Sequence, residues 1–274
     1  MRREWAALPG AVVKEIAERV GGIIDVSPAP TGNHAEIAST VVGTSRTVFV
    51  KAASTGLSVQ TLRYELTATR AVDWFPPAVL WHFERDGWLV VGAELLDGPH
   101  PDLSPGSPDL DLLRVTLKAL QGTPAPRGTW FTPAGRLGFA LPDMQGRTLV
   151  HSDINPTNLI LTPAGIRVVD WAWTTEAAAW VELALLVQWL IGSGHSPAQA
   201  EEWLAQFPAW TAVGGDALDA FAAMNAAKWN VKAEQRPDGW VHDLAAWTGE
   251  WAKHRSSQAS KLQLMPNGCT TTQP

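Results

Sequence analysis

Hydrophobic residues in the first hundred positions follow two different spacings. Helical spacing covers residues 11–20, before Gly21 and Gly22, and about Val59–Asp73, before a pair of prolines. Four apolar runs bounded by turn residues have the character of strands: Ile37–Val42, Thr47–Ala52, Ala78–Phe83 and Trp88–Ala93. The pattern predicts a small antiparallel sheet with one helix inserted between its strands.

The rest of the chain changes to a connector and then to helical spacing. Asp97–Pro108 is rich in Pro and Gly, which predicts an extended connector, and a helix follows to about Gln121. Four further helices are predicted at about Ala177–Gly192, Ser196–Gln206, Asp216–Lys232 and Gly239–Ser256. We therefore expect an α+β protein with a small β-sheet N-lobe at 1–93, a connector at 94–108, a larger mainly helical C-lobe at 109–256 and a flexible tail at 257–274.

Tryptophan is unusually frequent, with 15 residues, most of them in the second half of the chain. Trp240, Leu244, Trp247 and Trp251 recur at i, i+4, i+7 and i+11, which places them on one stripe of a helix. We expect this stripe to be buried in the core. The alternative, in which some of the rings line a ligand pocket, remains open.

Composition excludes several classes of protein. The chain is 46% apolar with a formal net charge of -6, which argues for a globular protein and against a nucleic-acid-binding surface. The most apolar stretch, Leu183–Gly192, is too short to span a bilayer, and the first residues lack the apolar core of a signal peptide. Cys269 is the single cysteine. We expect a cytoplasmic protein, a monomer or weak dimer, without membrane or nucleic-acid partners.

One segment combines polar residues with a predicted hairpin. His151 and Asp153 precede Asn158, and Asp170 follows two apolar strands. Asn158 and Asp170 lie six residues on either side of Ala164, in the predicted turn, so their side chains should meet at the open end of the hairpin. An amide oxygen and a carboxylate suit Mg²⁺, and Mg²⁺ held in this way usually bridges nucleotide phosphates. The remaining carboxylate, Asp153, can orient a hydroxyl nucleophile, so the segment indicates phosphoryl transfer.

A phosphate site also needs a cation, and the second predicted strand contains Lys51 among apolar residues. A lysine on an edge strand commonly reaches into solvent. Here Glu65 lies on the following helix, and a strand lysine anchored by a helix glutamate is the arrangement that protein-kinase-like enzymes direct at phosphates. Glu36 and Glu94 are alternative partners for the lysine.

Together these residues resemble those of the aminoglycoside phosphotransferase family, the antibiotic and small-metabolite branch of the protein-kinase-like fold. The resemblance extends from about Thr31 to about Trp251, and four short stretches carry it: Val48–Ala53, the helix with Glu65, Trp88–Gly98 and Leu149–Trp173. Asp170 and Trp171 stand where a protein kinase has Asp-Phe-Gly. The resemblance implies a bilobal protein-kinase-like fold.

The resemblance also implies roles. Asp153 is the expected catalytic base, Asn158 and Asp170 are the expected Mg²⁺ ligands, and Lys51 with Glu65 is the expected phosphate-binding pair. In the connector, the backbone of the segment from Glu94 to Leu96 is expected to bind the purine of ATP or GTP, and His151 to brace the catalytic loop.

Two departures from the family pattern concern glycine. Ser152 stands where the family usually has Gly between His and Asp, so the loop is expected to differ slightly. The N-lobe lacks Gly-x-Gly-x-x-Gly, and Gly32 is the candidate for a loop over the phosphates.

The acceptor is expected to be a small hydroxylated molecule, because a helix follows Asp170 too soon to leave a platform for a peptide. Acidic residues that could bind a polycationic antibiotic are Glu176, Glu182, Asp216, Asp219, Glu234 and Asp238. The tryptophans suit a less charged sugar or nucleoside equally well. The candidate substrate residues are Glu176, Trp229, Asn230 and Glu234. The leading interpretation is an antibiotic O-phosphotransferase that confers resistance. The alternatives are a primary-metabolite kinase for a sugar or amino alcohol, and an inactive kinase-like protein that binds nucleotide.

Overall fold

The computed structural model describes residues 2–30, 35–72, 76–128, 130–236 and 238–263, with side chains to residue 258. Its N-terminal part contains helices α1 (Gly10–Val20) and α2 (Gly56–Ala71). The strands of this part are β1 (Ile23–Pro28), β2 (Ile37–Gly43), β3 (Thr47–Ala53), β4 (Val79–Arg85) and β5 (Trp88–Ala93). Within the described residues they form an antiparallel sheet in the order β1-β2-β3-β5-β4. The prediction of a small antiparallel sheet with an inserted helix is confirmed.

The sequence pattern did not predict β1. Its residues are half-buried or exposed because it is an edge strand, so it lacks the apolar run that marks the inner strands. The inner strand β3 shows the opposite character, with Val48 and Val50 fully buried. Lys51 lies on β3 and pairs in register with Ala38 on β2 and Val91 on β5, so the lysine is in the middle of the sheet.

The C-terminal part is mainly helical. Its helices are α3 (Asp109–Gln121), α4 (Pro133–Leu137), α5 (Trp180–Gly192), α6 (Pro197–Leu204), α7 (Pro208–Ala212), α8 (Gly215–Gln235) and α9 (Gly239–Gln263). Short strands β6 (Thr148–Val150) and β9 (Thr175–Ala177) pair with each other, so the helix predicted from Ala177 begins three residues later. The predicted end of the last helix at Ser256 was wrong. Residues 257–263 contain neither Gly nor Pro, and the helix continues through them. The rest of the predicted tail lies outside the described residues.

The largest core surrounds α5, which is buried along almost its whole length. Helices α8 and α9 pack against each other and against α5. In the predicted stripe of α9, Leu244 and Trp251 are buried and Trp247 is partly buried, but Trp240 is 51% exposed. Trp240 lies in the first turn of α9, beyond the core, where its ring meets Trp229 edge-on. None of the helices in the described ranges has the length and apolar character that crossing a bilayer requires.

The predicted hairpin is formed by β7 (Leu159–Thr162) and β8 (Gly165–Val168). Its turn has two residues, so Asn158 faces Val169, whose amide donates to the Asn158 carbonyl at 2.9 Å. The predicted symmetry about Ala164, with Asn158 opposite Asp170, was therefore wrong by one position. Asp170 comes one residue later and has a φ of 63°, a left-handed conformation that changes the direction of the chain at this point.

The connector holds the hairpin against the N-lobe. The Leu161 amide donates to the Pro99 carbonyl at 2.8 Å. At Gly98 a Cβ atom would collide with the Leu161 carbonyl oxygen, so this close approach requires glycine. Arg167 on β8 forms an ion pair of 3.0 Å with Glu94 at the start of the connector. The residues of the hairpin are therefore fixed where the two lobes meet.

Candidate active site

A cavity of about 620 Å³ lies between the sheet and the hairpin, within the size range of small-molecule sites. Its lining includes the predicted residues Lys51, Glu65, Glu94, Leu96, Asp153, Asn158 and Asp170. The structure therefore brings together residues from β3, α2, the connector and the region of the hairpin, of which Lys51 and Asp170 lie 119 positions apart in the sequence. Gly32, the remaining predicted nucleotide contact, lies outside the described residues.

The cation on the sheet side is paired with two carboxylates. Lys51 Nζ donates to both carboxylate oxygens of Glu65 at 2.8 Å and to Asp170 Oδ1 at 2.9 Å. Burial acts to lower the pKa of Lys51, but Asp170 and Glu65 outweigh it and raise the pKa above its usual value. Lys51 therefore stays charged and bridges the N-lobe helix to the hairpin. Glu36, an alternative partner in the sequence, instead accepts hydrogen bonds from Ser54 and Thr55.

The predicted base, Asp153, is held by different groups on its two carboxylate oxygens. Asn158 Nδ2 donates to Asp153 Oδ2 at 3.1 Å, and Arg136 Nη2 donates to Asp153 Oδ1 at 3.2 Å. Burial raises the pKa of Asp153 to about 6, with Arg136 acting to lower it and Asp170 to raise it. A carboxylate with a pKa near 6 is ionised at neutral pH and is well matched to accepting a proton there.

Asn158 and Asp170 have the donor atoms that Mg²⁺ prefers. Both side-chain hydrogen bonds of Asn158 use its amide nitrogen, which leaves the amide oxygen as a potential ligand. Asp170 supplies a carboxylate to the same cavity. Within the described ranges no cluster of three or more His, Cys, Asp or Glu side chains suited to a metal is present. A set of one carboxylate and one amide fits Mg²⁺ that shares its coordination with phosphate oxygens.

The loop that follows β6 and contains Asp153 is anchored to the core through Glu182 on α5. This buried carboxylate accepts hydrogen bonds from the backbone amides of His151 and Ser152. His151 donates through Nε2 to the Val169 carbonyl at 3.0 Å, and its Nδ1 accepts the Asp153 amide at 3.3 Å. Burial lowers the pKa of His151 to about 4, so the ring is neutral and links the loop to the hairpin. Glu182, which the sequence offered as an acceptor contact, belongs to this support.

Ser152 has a left-handed backbone with a φ of 60°, a conformation that favours glycine. Its hydroxyl donates to the Trp173 carbonyl at 2.6 Å and accepts from Arg136 Nε at 3.3 Å and from Thr175 at 3.2 Å. These contacts hold a residue whose Cβ disfavours this conformation. The expectation that this loop differs slightly from that of the family remains a prediction.

Arg136 was not predicted. It lies on α4, 17 residues before Asp153, and its guanidinium carbon is 4.6 Å from the centre of the Trp173 ring. Thr132 caps this helix by accepting the Gly135 amide, and Pro133 occupies the first turn. Thr132 and Pro133 could therefore have predicted the start of α4 from the sequence. No rule of sequence spacing could have predicted that Arg136 contacts Asp153.

The candidate substrate residues lie on two separate elements, α8 and β9. Trp229 on α8 is half-buried, and the amino groups of Lys228 and Lys232 lie 5.3 and 4.5 Å from the centre of its ring. Asn230 and Glu234 are exposed on the same helix. Elsewhere, Glu176 on β9 lies 3.9 Å from Arg147, and Asp219 pairs with Arg255. None of these residues lines the cavity in the described part of the chain.

Comparison with solved structures identifies the fold. The choline kinase LicA from Streptococcus pneumoniae superposes with a TM-score of 0.56 at 16% identity, covering 90% of this chain and 97% of that one. Aminoglycoside phosphotransferase APH(4)-Ia superposes with a TM-score of 0.59 at 13% identity, covering 90% and 98%. The AMP-bound spectinomycin phosphotransferase APH(9)-Ia gives 0.58 at 10% identity, covering 92% and 95%. No protein-family model and no curated protein sequence matches the chain.

These similarities extend over almost the whole length of each neighbour and include both lobes. The α+β fold class and the bilobal protein-kinase-like architecture predicted from the sequence are thereby confirmed. The chain has the fold shared by aminoglycoside phosphotransferases and choline kinase.

Proposed function

We propose that the protein is a small-molecule O-phosphotransferase that moves the γ-phosphate of ATP or GTP to a hydroxyl group. One observation carries the proposal: Lys51 and Glu65 from the N-lobe share a cavity with Asp153, Asn158 and Asp170 from the C-lobe. The fold adds support, since solved neighbours include an AMP complex of LicA and a ternary complex of APH(4)-Ia with ADP and hygromycin B.

The residues of the chain have separate tasks in this reaction. Lys51 binds phosphate oxygens, and its charge is maintained by Glu65. Asp153 orients the acceptor hydroxyl and accepts its proton, while the hydroxyl oxygen forms a bond to the γ-phosphorus. The bond between that phosphorus and the β,γ-bridging oxygen breaks, and the nucleoside diphosphate leaves with the bonding electrons. The proton then passes from Asp153 to solvent.

Asn158 and Asp170 would hold Mg²⁺, which neutralises phosphate charge when bound. Asp170 also contacts Lys51 at 2.9 Å, so the metal ligand and the phosphate-binding lysine are positioned by each other. Positioning and charge stabilisation supply most of the rate enhancement in phosphoryl transfer. A cytoplasmic setting, rich in nucleoside triphosphates and Mg²⁺, remains a prediction.

Two acceptor classes follow from the fold. The antibiotic phosphotransferases among the neighbours favour an antibiotic or related natural product, with resistance as the biological outcome. The choline kinase favours a primary metabolite instead. An inactive nucleotide-binding protein is disfavoured, because the base, the lysine, its partner and both metal ligands are present and share a cavity.

The test is Mg²⁺-dependent consumption of ATP and of GTP by purified protein against a panel of hydroxylated antibiotics and metabolites. Wild type and Asp153→Asn are compared side by side, with nucleotide binding measured for both. We expect turnover with at least one acceptor and a loss of about 10²–10⁴-fold in the variant, the range for a general base, with nucleotide binding retained. A resistance screen in a sensitive host separates the two acceptor classes, because only an antibiotic kinase protects the host.

Two results would contradict the proposal. The absence of nucleotide binding to the wild type would remove the kinase interpretation. Near-normal turnover in Asp153→Asn would show that Asp153 is not the base and would contradict the mechanism proposed for this site.

A further inference from the structure

The carboxylate oxygen of Asp153 that does not contact Asn158 pairs with a cation, Arg136, and a second cation, Lys228, acts on Asp153 electrostatically. Arg136 contacts Asp153 Oδ1, and its side chain is 15% exposed. Lys228 and Lys232 follow on α8, and in the described structure neither lysine nor Arg136 lines the cavity that contains Lys51. The cationic cluster of Arg136, Lys228 and Lys232 is therefore a feature separate from the predicted phosphate site.

Helix geometry explains how α8 brings its lysines to this place. Phe221, Asn225, Lys228 and Lys232 occupy positions i, i+4, i+7 and i+11, so they share one face of α8. Phe221 is fully buried and packs edge-on against Phe139, just after α4, at 5.4 Å. Phe221 contacts the segment after α4 from this face of α8. Lys228 and Lys232 lie on the same face, two and three turns further along the helix.

The charges of the cluster act on one another. Burial lowers the pKa of Lys228 to about 7, and Arg136 and Lys232 lower it further while Asp153 opposes them. Lys232 is exposed, but partial desolvation lowers its pKa, and Arg136 and Arg236 lower it further. Asp153 is the carboxylate that opposes this repulsion at Lys228, and Glu182 acts on Arg136 as well, so two carboxylates act on the three cations of the cluster.

Two aromatic rings provide flat walls beside the charges. Trp173 lies against Arg136 at 4.6 Å, and Trp229 lies against Lys228 and Lys232 at 5.3 and 4.5 Å. A pocket for a polycationic antibiotic needs carboxylates at these positions, and a pocket for a quaternary amine needs aromatic faces without competing cations. Here the aromatic faces are already in contact with cations of the chain itself.

Resting on the proposed phosphotransferase function, we propose that the acceptor is an anion, a hydroxylated small molecule whose carboxylate or phosphate group binds Arg136, Lys228 and Lys232. The anion neutralises the cluster and brings the hydroxyl to Asp153, where the transfer follows the bond changes given above. Trp173 and Trp229 enclose the apolar part of the molecule.

The test uses sets of acceptors that share a carbon skeleton and differ in charge: glycerol, glycerate and 2-amino-1,3-propanediol, and then glucose, glucuronate and glucosamine. Choline and hygromycin B extend the cationic class. We expect kcat/KM for the anionic member of a set to exceed that of its neutral and cationic counterparts by about 10–100-fold, the range for hydrogen bonds between charged groups.

The test is extended by one variant in the cationic cluster and one control variant outside it. Lys232→Glu should raise the KM of the anionic acceptor about tenfold or more without changing the KM of ATP. Lys14→Glu is the matched control, because Lys14 is exposed on α1 in the other lobe and the change in net charge is the same. Preference for a neutral or cationic acceptor, or equal effects of the two variants, would overturn the anionic acceptor and leave the phosphotransferase function intact.

A binding measurement distinguishes failure of this inference from failure of the proposed function. Inorganic phosphate is titrated calorimetrically into wild type, Lys228→Gln and Lys232→Glu with ADP and Mg²⁺ saturating. If both variants weaken phosphate binding, the anion site is supported. If in addition no acceptor is phosphorylated, it is the proposed function, and not the anion site, that fails. Phosphate binding that neither variant changes overturns the anion site whatever the turnover.

Discussion

Charge is arranged differently on the two sides of Asp153. On the proposed nucleotide side Lys51 is paired with two carboxylates, whereas on the other side Lys228 has Arg136 and Lys232 among the charges that act on it. Lys51 contacts Glu65 and Asp170 within 2.9 Å, so its charge is balanced inside the protein. Lys228 instead has cations for neighbours, and burial together with their charges lowers its pKa to about 7. A lysine paired with carboxylates is held in a fixed position, whereas a surplus of positive charge favours the binding of a negatively charged ligand.

Loss of the Lys51 charge, on the proposed nucleotide side, should have the strongest effect on activity. Lys51→Met removes the phosphate-binding charge and leaves Glu65 beside Asp170 without its cation, so kcat/KM for ATP should fall about 10²–10³-fold. The KM of the acceptor should change little, because the acceptor lies beyond Asp153. Steady-state kinetics with each substrate varied in turn checks this. A comparable rise in the KM of the acceptor would show that the two sides are not separate.

The second prediction concerns pH, where the two sides meet at Asp153. Its pKa is raised to about 6, so kcat/KM should fall tenfold per pH unit below that value as the base becomes protonated. Arg136 lowers this pKa, against burial and Asp170, while Lys228 and Asn158 also favour the ionised form. In Arg136→Gln the acid limb should therefore move to higher pH by roughly one unit. A limb at the same pH in both proteins would mean that Arg136 does not act on the base.

The third prediction concerns stability and the left-handed turn at Ser152. Ser152→Ala keeps the left-handed strain and loses the hydroxyl contacts, which should cost about 1–3 kcal/mol in the free energy of unfolding. Ser152→Gly loses the same contacts but relieves the strain, so it should be more stable than the Ala variant by about 0.5–1 kcal/mol. Urea unfolding of both variants measures the difference, and an Ala variant as stable as the Gly variant would mean that the turn is not strained.

The same comparison explains how much the sequence could predict. The nucleotide side depends on short spacings: Asp153 and Asn158 lie five residues apart next to a hairpin, and Lys51 lies on an apolar strand. Such spacings are set by local backbone geometry, so they predicted the shared cavity even though the turn was misplaced by one residue.

The acceptor side has no such local rule. Arg136 and Lys228 lie 92 positions apart, and the segment just after α4 contacts α8 where Phe139 packs on Phe221. That contact depends on tertiary packing, which periodicity does not encode. The acidic residues considered from sequence were plausible pocket residues by type, but several are engaged elsewhere: Glu182 holds the loop and Asp219 pairs with Arg255.

Glu182 has a consequence for how such a protein can change. It lies in the first turn of α5, the most enclosed helix, and through it the backbone at His151 and Ser152 is tied to the core. Lys232 and Trp240, by contrast, project from turns that solvent reaches. Substitutions at exposed positions of α8 should therefore alter the proposed contact with the acceptor without moving this backbone. Under the proposed function, the choice of acceptor can then diversify through positions such as Lys232, while Arg136, which contacts both Ser152 and Asp153, is inherited together with the chemistry.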